Sequence, residues 1–273
     1  MKNYNELKET SKVIRQDIIK MLHESGSGHP GGSLSSTEIV TALFFKEMNI
    51  DPKDPNWEER DRFVLSKGHA APVLYAALAE KGFFPKEELM KLRKTGSMLQ
   101  GHPDKKGTPG VDMSTGSLGQ GLSISNGMAL SAKLDNKDYR VYTILGDGEI
   151  QEGMVWEAAM FSAHYKLDNL IAFLDHNGLQ IDGKNEEVIN VEPVDKKFEA
   201  FGWNVIKIDG HNFEEIFNAI DGGKETKGKP TIIIANTIKG KGVSFMEDEA
   251  GWHGKAPNDE EFKIALSELG GDK

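Results

Sequence analysis

The sequence predicts an α/β domain built on a parallel β-sheet with helices on both faces. Three observations predict it. Short apolar runs of strand length recur at Arg62–Ser66, Val141–Leu145, Leu170–Leu174, Trp203–Ile208 and Thr231–Ala235. Segments with apolar residues at helical spacing lie between them. Glycine-rich loops follow several of the runs. Strands that alternate with helices run parallel and are covered on both faces. Sheets of this kind take ligands at the carboxyl ends of their strands.

Taken in order, Leu7, Val13, Ile14, Ile18, Met21 and Leu22 mark a first helix over Glu6–Glu24. It is expected to stop in the breaker-rich stretch 25–32. Ser35-Ser36-Thr37-Glu38 offers N-caps for a second helix through Phe45. The strand at Arg62 leads through Lys67-Gly68-His69 into an apolar helix over Ala70–Glu80. A long loop, 98–121, opens a helix of small residues through Leu134. A helix around Met154–His164 separates the strands at Val141 and Leu170. Another, Phe213–Asp221, is expected to end at Gly222-Gly223, and Glu261–Leu269 suits a short terminal helix. No internal repeat or linker divides the chain, so 1–273 reads as a single domain.

Composition narrows the function. The 273 residues are 38% hydrophobic and 28% charged, as in ordinary soluble proteins. The net charge is −10, from 33 Lys+Arg against 43 Asp+Glu, which argues against nucleic acid as a partner. The absence of cysteine excludes disulfides, zinc–thiolate sites and thiol nucleophiles. No apolar run approaches the roughly 20 residues that span a bilayer, and residues 1–10 lack the apolar core of a signal peptide. The expectation is a cytoplasmic protein without a membrane partner.

Two strand ends carry the strongest chemical signal. Gly146-Asp147-Gly148-Glu149 follows one apolar run, and Asn177 stands just past the next. Mg²⁺ needs about six hard oxygen ligands and shares them with substrate phosphates and water. Asp147, the amide oxygen of Asn177 and a backbone carbonyl such as that of Leu179 would supply part of that shell and leave room for a diphosphate. Gly-Asp-Gly alone also suits a plain turn; the second strand end with its asparagine favours the cation. A second signal is histidine beside glycine, at His29, His69, His102, His211 and His253. His211 reads as a solvated loop residue. The other four suit a cluster around a polyhydroxylated substrate, where imidazole donates, accepts and shuttles protons.

The run Thr115 to Gly121 has glycines at the wrong offsets for a dinucleotide fingerprint. It reads instead as a backbone-lined wall beside a flat or phosphorylated ligand. Lys239-Gly240-Lys241-Gly242 is not a phosphate-binding Walker loop, because no Ser or Thr follows the lysine; Lys241 reads as a solvated basic turn.

These segments taken together resemble the transketolase family. Ser27-Gly28-His29-Pro30-Gly31-Gly32, Leu65-Ser66-Lys67-Gly68-His69-Ala70, Gly101-His102-Pro103, Thr115 to Gly121, Leu145 to Gly153 and Asp175 to Gly183 occur in the order of its amino-terminal domain. The resemblance runs from about residue 10 to about 258, leaving 259–273 as a tail. It implies a thiamine diphosphate-binding fold, with Asp147, Asn177 and the Leu179 carbonyl on Mg²⁺. It implies that Gly148, Gly116, Ser117, Leu118, Lys67 and His69 contact the cofactor, as does Lys239 in some members. It places His29, His102 and His253 along the substrate channel, His69 near the reacting centre, and Glu152 at a dimer interface.

Family members are usually more than twice as long as this chain, though some are split into two polypeptides. The pyrimidine-binding and carboxyl-terminal domains, with the glutamate that activates the cofactor, have no counterpart here. The expectation is the amino-terminal subunit of a split transketolase, inactive alone and assembled with its partner as two of each. The substrates would be a ketose and an aldose, phosphorylated or not. A pyruvate-using synthase of the deoxyxylulose-phosphate type and a non-catalytic diphosphate-binding module are the alternatives.

Overall fold

A computed structural model describes residues 3–271. The strands are β1 (Arg62–Leu65), β2 (Val141–Gly146), β3 (Leu170–His176), β4 (Asn204–Asp209) and β5 (Thr231–Asn236). They form one sheet in the order β1-β2-β3-β5-β4, with every neighbouring pair parallel. The helices are α1 (Asn5–Ser25), α2 (Pro30–Ser35), α3 (Thr37–Ala42), α4 (Ala71–Lys81), α5 (Gln120–Leu134), α6 (Gly153–His164), α7 (Asn185–Val188), α8 (Val194–Ala200), α9 (Phe213–Glu225) and α10 (Asp259–Glu268).

Side chains of a strand point alternately to its two faces. That period splits the core in two. Val141, Leu145, Leu170, Ala172, Leu174, Ile232 and Ile234 pack with residues of α5, α6 and α8. Tyr142, Ile144, Ile171, Phe173, Ile233 and Ala235 pack with residues of α1, α3, α4 and α9. The expected sheet with helices on both faces is therefore what forms. Among the described residues no helix is long and apolar enough to cross a membrane.

Two expectations about elements need correction. The single helix over 35–45 is instead α2, α3 and a π-helical turn, Leu43–Glu47. Pro30 at the first turn of α2 starts the helix inside the supposed breaker stretch. The hydroxyls of Ser35 and Ser36 cap nothing; both reach Asp175 on β3. Second, α9 runs through Gly222-Gly223 to Glu225. A Cβ on Gly223 would lie 3.1 Å from Ile171 Cδ1, so the glycine serves close helix–sheet packing rather than termination. The expected terminal helix forms, as α10. Asn258 and Glu261 form a reciprocal capping box at the start of α10, and Ala265 and Leu266 are buried, with the helix against α1.

The register places the site. Gly146 pairs with Asp175, Asp175 with Ala235, and His176 with Asn236. The loops after β2, β3 and β5 thus leave the sheet at one level, and Asp147, Asn177 and Lys239 belong to them.

Candidate active site

A cavity of about 260 Å³ opens at that edge of the sheet. His29, His69, His102, His253, Lys67, Gly116, Leu118, Asp147, Gly148, Asn177, Leu179 and Lys239 all line it. Ser117 does not: its side chain is exposed and accepts a hydrogen bond from Gln120 Nε2 at 3.2 Å.

The polar end of the cavity is the Asp147–Asn177 pair. Asp147 Oδ1 accepts the Gly148 N–H at 2.8 Å, and Oδ2 accepts the Gly178 N–H at 2.5 Å. Burial raises the Asp147 pKa and the charge of Asp175 adds to it, against the Gly178 hydrogen bond. Asn177 donates its amide N–H to Asp175 Oδ2 at 3.1 Å, which turns its Oδ1 towards the Leu179 N–H, also at 3.1 Å. The donors offered here are carboxylate, amide and carbonyl oxygens, the set that suits a hard cation. Among the described residues no group of three His, Asp or Glu gathers to hold a metal, so a cation here depends on those amide and carbonyl oxygens. A positive charge already sits beside them. Lys239 Nζ donates to the Leu179 carbonyl at 3.4 Å and to His253 Nδ1 at 3.1 Å.

Asp175 is the anchor that the sequence reading left without a role. It is fully buried at the end of β3. Its carboxylate accepts from Lys67 Nζ at 2.5 Å, Ser35 Oγ at 2.6 Å, Asn177 Nδ2 at 3.1 Å, Ser36 Oγ at 3.4 Å and Thr237 Oγ1. Burial alone would raise its pKa; the Lys67 ammonium overrides that and holds it below the ordinary value. Lys67 also donates to the Gly32 carbonyl at 2.7 Å, so this lysine ties α2 to the sheet while it lines the cavity. The available signal was a charged residue directly after an apolar run, at the same strand end as Asn177.

The four histidines form the other wall. Ring centroids lie 4.9 Å apart for His69 and His253, 5.3 Å for His29 and His69, 5.4 Å for His29 and His253, and 6.5 Å for His29 and His102. All are held below the ordinary histidine pKa. Burial is the main cause, pulling His29 down to about 4 and His253 to about 3. Nearby positive charge adds to it, from Arg93 at His29 and His102, Lys67 at His69, and Lys239 at His253. Lys239 is itself lowered to about 8 by burial, with Asp147 pulling the other way. At neutral pH the rings are uncharged, each with one donor and one acceptor nitrogen. Among the described residues His29 Nδ1, buried in the wall, finds no hydrogen-bond partner.

His211 stands apart and corrects its reading as a solvated loop residue. Its Nδ1 bonds Glu38 Oε2 at 2.8 Å and its Nε2 accepts the Ile238 N–H at 2.9 Å. Glu38 in turn holds Arg15 through contacts of 2.6 and 2.7 Å. This cluster braces the turn that carries Lys239. Lys241 is half-buried and pairs with Glu247 at 3.3 Å, outside the cavity. Glu152 is exposed at the start of α6.

The family pattern for the transketolase thiamine diphosphate binding domain matches residues 6–273, past the point where the expected tail begins. The chain belongs to the transketolase family. It is 50% identical over 264 residues to the 6-deoxy-6-sulfo-D-fructose transketolase subunit SqwG of Clostridium sp. (strain MSTE9), covering 97% of this chain and 96% of that one. It is 43% identical to an apulose-4-phosphate transketolase subunit from Phocaeicola vulgatus, covering 95% and 92%. Transketolase from Homo sapiens is 48% identical over 250 residues, 91% of this chain but 40% of that one. The solved transketolase of Campylobacter jejuni superposes with a TM-score of 0.93 at 35% identity, over 99% of this chain and 44% of that one. The chain thus spans the thiamine diphosphate-binding part of the family, under half the length of these two transketolases, whereas the two relatives it matches end to end are named subunits.

Proposed function

We propose that this chain is the amino-terminal subunit of a two-chain transketolase, moving a two-carbon ketol unit from a ketose to an aldose. The observation that carries the reading is the meeting, in one cavity, of an oxygen-donor clamp and four neutral histidines. Asp147, Asn177 and the Leu179 carbonyl would hold Mg²⁺, with Gly148 against the diphosphate and Lys239 balancing its charge. Gly116 and Leu118 would flank the aromatic rings, while Lys67 keeps α2 and β3 in register around them. When bound, thiamine diphosphate supplies the carbanion stabilisation that lets a carbon–carbon bond break and form.

The histidines do the rest from this chain. His29 and His102 offer hydrogen bonds to sugar hydroxyls. His69 and His253 stand where donor hydroxyl protons must move. The diphosphate's negative charge would raise their proton affinity from the low values set by burial and Lys239. The partner chain would supply the pyrimidine-binding domain and the remaining pocket wall, in an assembly of two of each subunit with Glu152 at an interface. Subunit names on relatives of matching length support this division.

The test is reconstitution with a carboxyl-terminal transketolase subunit, thiamine diphosphate and Mg²⁺. Ketol transfer by the pair and none by the chain alone is the expected result. Full turnover by the chain alone would overturn the two-chain reading, and turnover of pyruvate by the pair would favour the synthase chemistry.

A further inference from the structure

Glu149 has no role among the ligand contacts above, yet it is 3% exposed and its carboxylate is ringed by donors from three elements. Oε1 accepts the hydroxyl of Ser66, just past β1, and the Gly119 N–H at 2.9 Å, at the start of α5. Oε2 accepts the Gly146 N–H at 3.0 Å, at the end of β2. The loop that Gly119 closes is pressed hard against its neighbours. Gly119 has φ +83°, and a Cβ there would lie 2.8 Å from Glu152 Cβ and Met154 Cγ. A Cβ on Gly121 would lie 2.4 Å from Ser66 Oγ. The same loop brings Gly116 and Leu118 to the cavity, while Gly146 begins the turn that brings Asp147 and Gly148 to it.

We propose that Glu149 is a positioning residue whose two carboxylate oxygens lock the Thr115–Gly119 loop to the Gly146–Gly148 turn. It thereby sets the separation between the two walls that thiamine diphosphate must touch at once. The inference rests on the cofactor reading given above. It depends on an acceptor at each oxygen, because the Gly119 and Gly146 N–H groups that face them can only donate. In Glu149→Gln, whichever way the amide turns, an NH₂ faces a backbone N–H, so either Gly119 or Gly146 loses its acceptor. Glu149→Asp keeps the charge but is one methylene too short to reach both sides.

The experiment titrates the full chain, alone and with its partner subunit, with thiamine diphosphate and Mg²⁺ by calorimetry, well below the unfolding temperature. Glu149→Gln and Glu149→Asp are expected to weaken cofactor binding about tenfold or more, as the loss of a supporting partner does. Ser66→Ala, which keeps the carboxylate and removes one donor, should weaken it about threefold. The double variant Ser66→Ala/Glu149→Gln should bind no worse than Glu149→Gln alone, because both act at one joint. Unchanged affinity in the folded Glu149 variants, even with lowered thermal stability, would mean a merely structural role and overturn the inference. If the Glu149 variants fail to fold, Ser66→Ala decides by the same criterion. A wild-type chain that binds no thiamine diphosphate in either state overturns the cofactor reading itself, and the inference with it.

Discussion

Substituting Asp175 by Asn isolates the electrostatics of the site from its shape. Four of the donors on this carboxylate, from Ser35, Ser36, Lys67 and Asn177, meet Oδ2. Among the described residues only Thr237 meets Oδ1. An asparagine that places its oxygen at the Oδ2 position keeps those four contacts, and its NH₂ then faces a threonine hydroxyl able to accept. What disappears is the negative charge opposite Lys67, in a pair whose side chains are 2% and 0% exposed. Removing one partner of a buried ion pair costs about 3–5 kcal/mol, because the other charge stays buried without compensation. Lys67 is held by only one further acceptor, the Gly32 carbonyl, so little offsets that cost. Equilibrium unfolding in urea should therefore show D175N about 3–5 kcal/mol less stable than the parent. Adding Lys67→Met removes the stranded charge and should restore much of the loss. A D175N cost below about 1 kcal/mol would place the pair in the weak class of solvated bridges. A double variant no more stable than D175N would likewise refute the claim that the loss is electrostatic.

Other predictions follow from the same geometry. Histidines held below their unfolded value of about 6.5 take up protons later than the unfolded chain does. Stability should thus fall as pH drops from about 6.5 towards the values of about 4 for His29 and about 3 for His253. Thermal melts across that range should show the slope, and His253→Gln should flatten it; a pH-independent melting temperature would contradict the assignment. Gly121→Ala would thrust a Cβ to within 2.4 Å of Ser66 Oγ and 2.6 Å of its Cα, and should cost about 2–3 kcal/mol. Gly127→Ala, exposed in the interior of α5 with nothing within 4 Å, should instead stabilise by about 0.5–1 kcal/mol. Urea midpoints of the two variants that move together would refute this distinction. His69→Ala should abolish turnover by the reconstituted enzyme while leaving thiamine diphosphate affinity, read by calorimetry, largely intact; unchanged turnover would refute a catalytic role for His69.

What was legible in the sequence was local, and what was missed depended on register. Each of His29, His69, His102 and His253 sits beside a glycine, so a histidine held on a loop is visible from neighbouring residues alone. The apolar runs likewise announced every strand, and the alternation announced the parallel sheet. Glu149 follows a glycine and Asp175 an apolar run, but nothing beside either shows which groups its carboxylate binds. The donors to Asp175 come from Ser35, Ser36, Lys67, Asn177 and Thr237, which share a point only because β3 lies between β2 and β5 with Gly146 level with Asp175. His211 failed for the same reason: its loop looks solvated until α3 brings Glu38 against it. Ser117 lies outside the cavity lining of this chain, since a motif places residues in order without saying which side chain of the loop faces inward. Gly222-Gly223 looks like a stop signal by propensity, yet the close approach of α9 to Ile171 gives Gly223 a packing role that outweighs it. The residues visible locally are those proposed to touch ligands, whereas those that only strand order reveals hold the first group in place. A transplant of the visible motifs onto another parallel sheet would therefore bind poorly unless the Asp175 and Glu149 joints came with them.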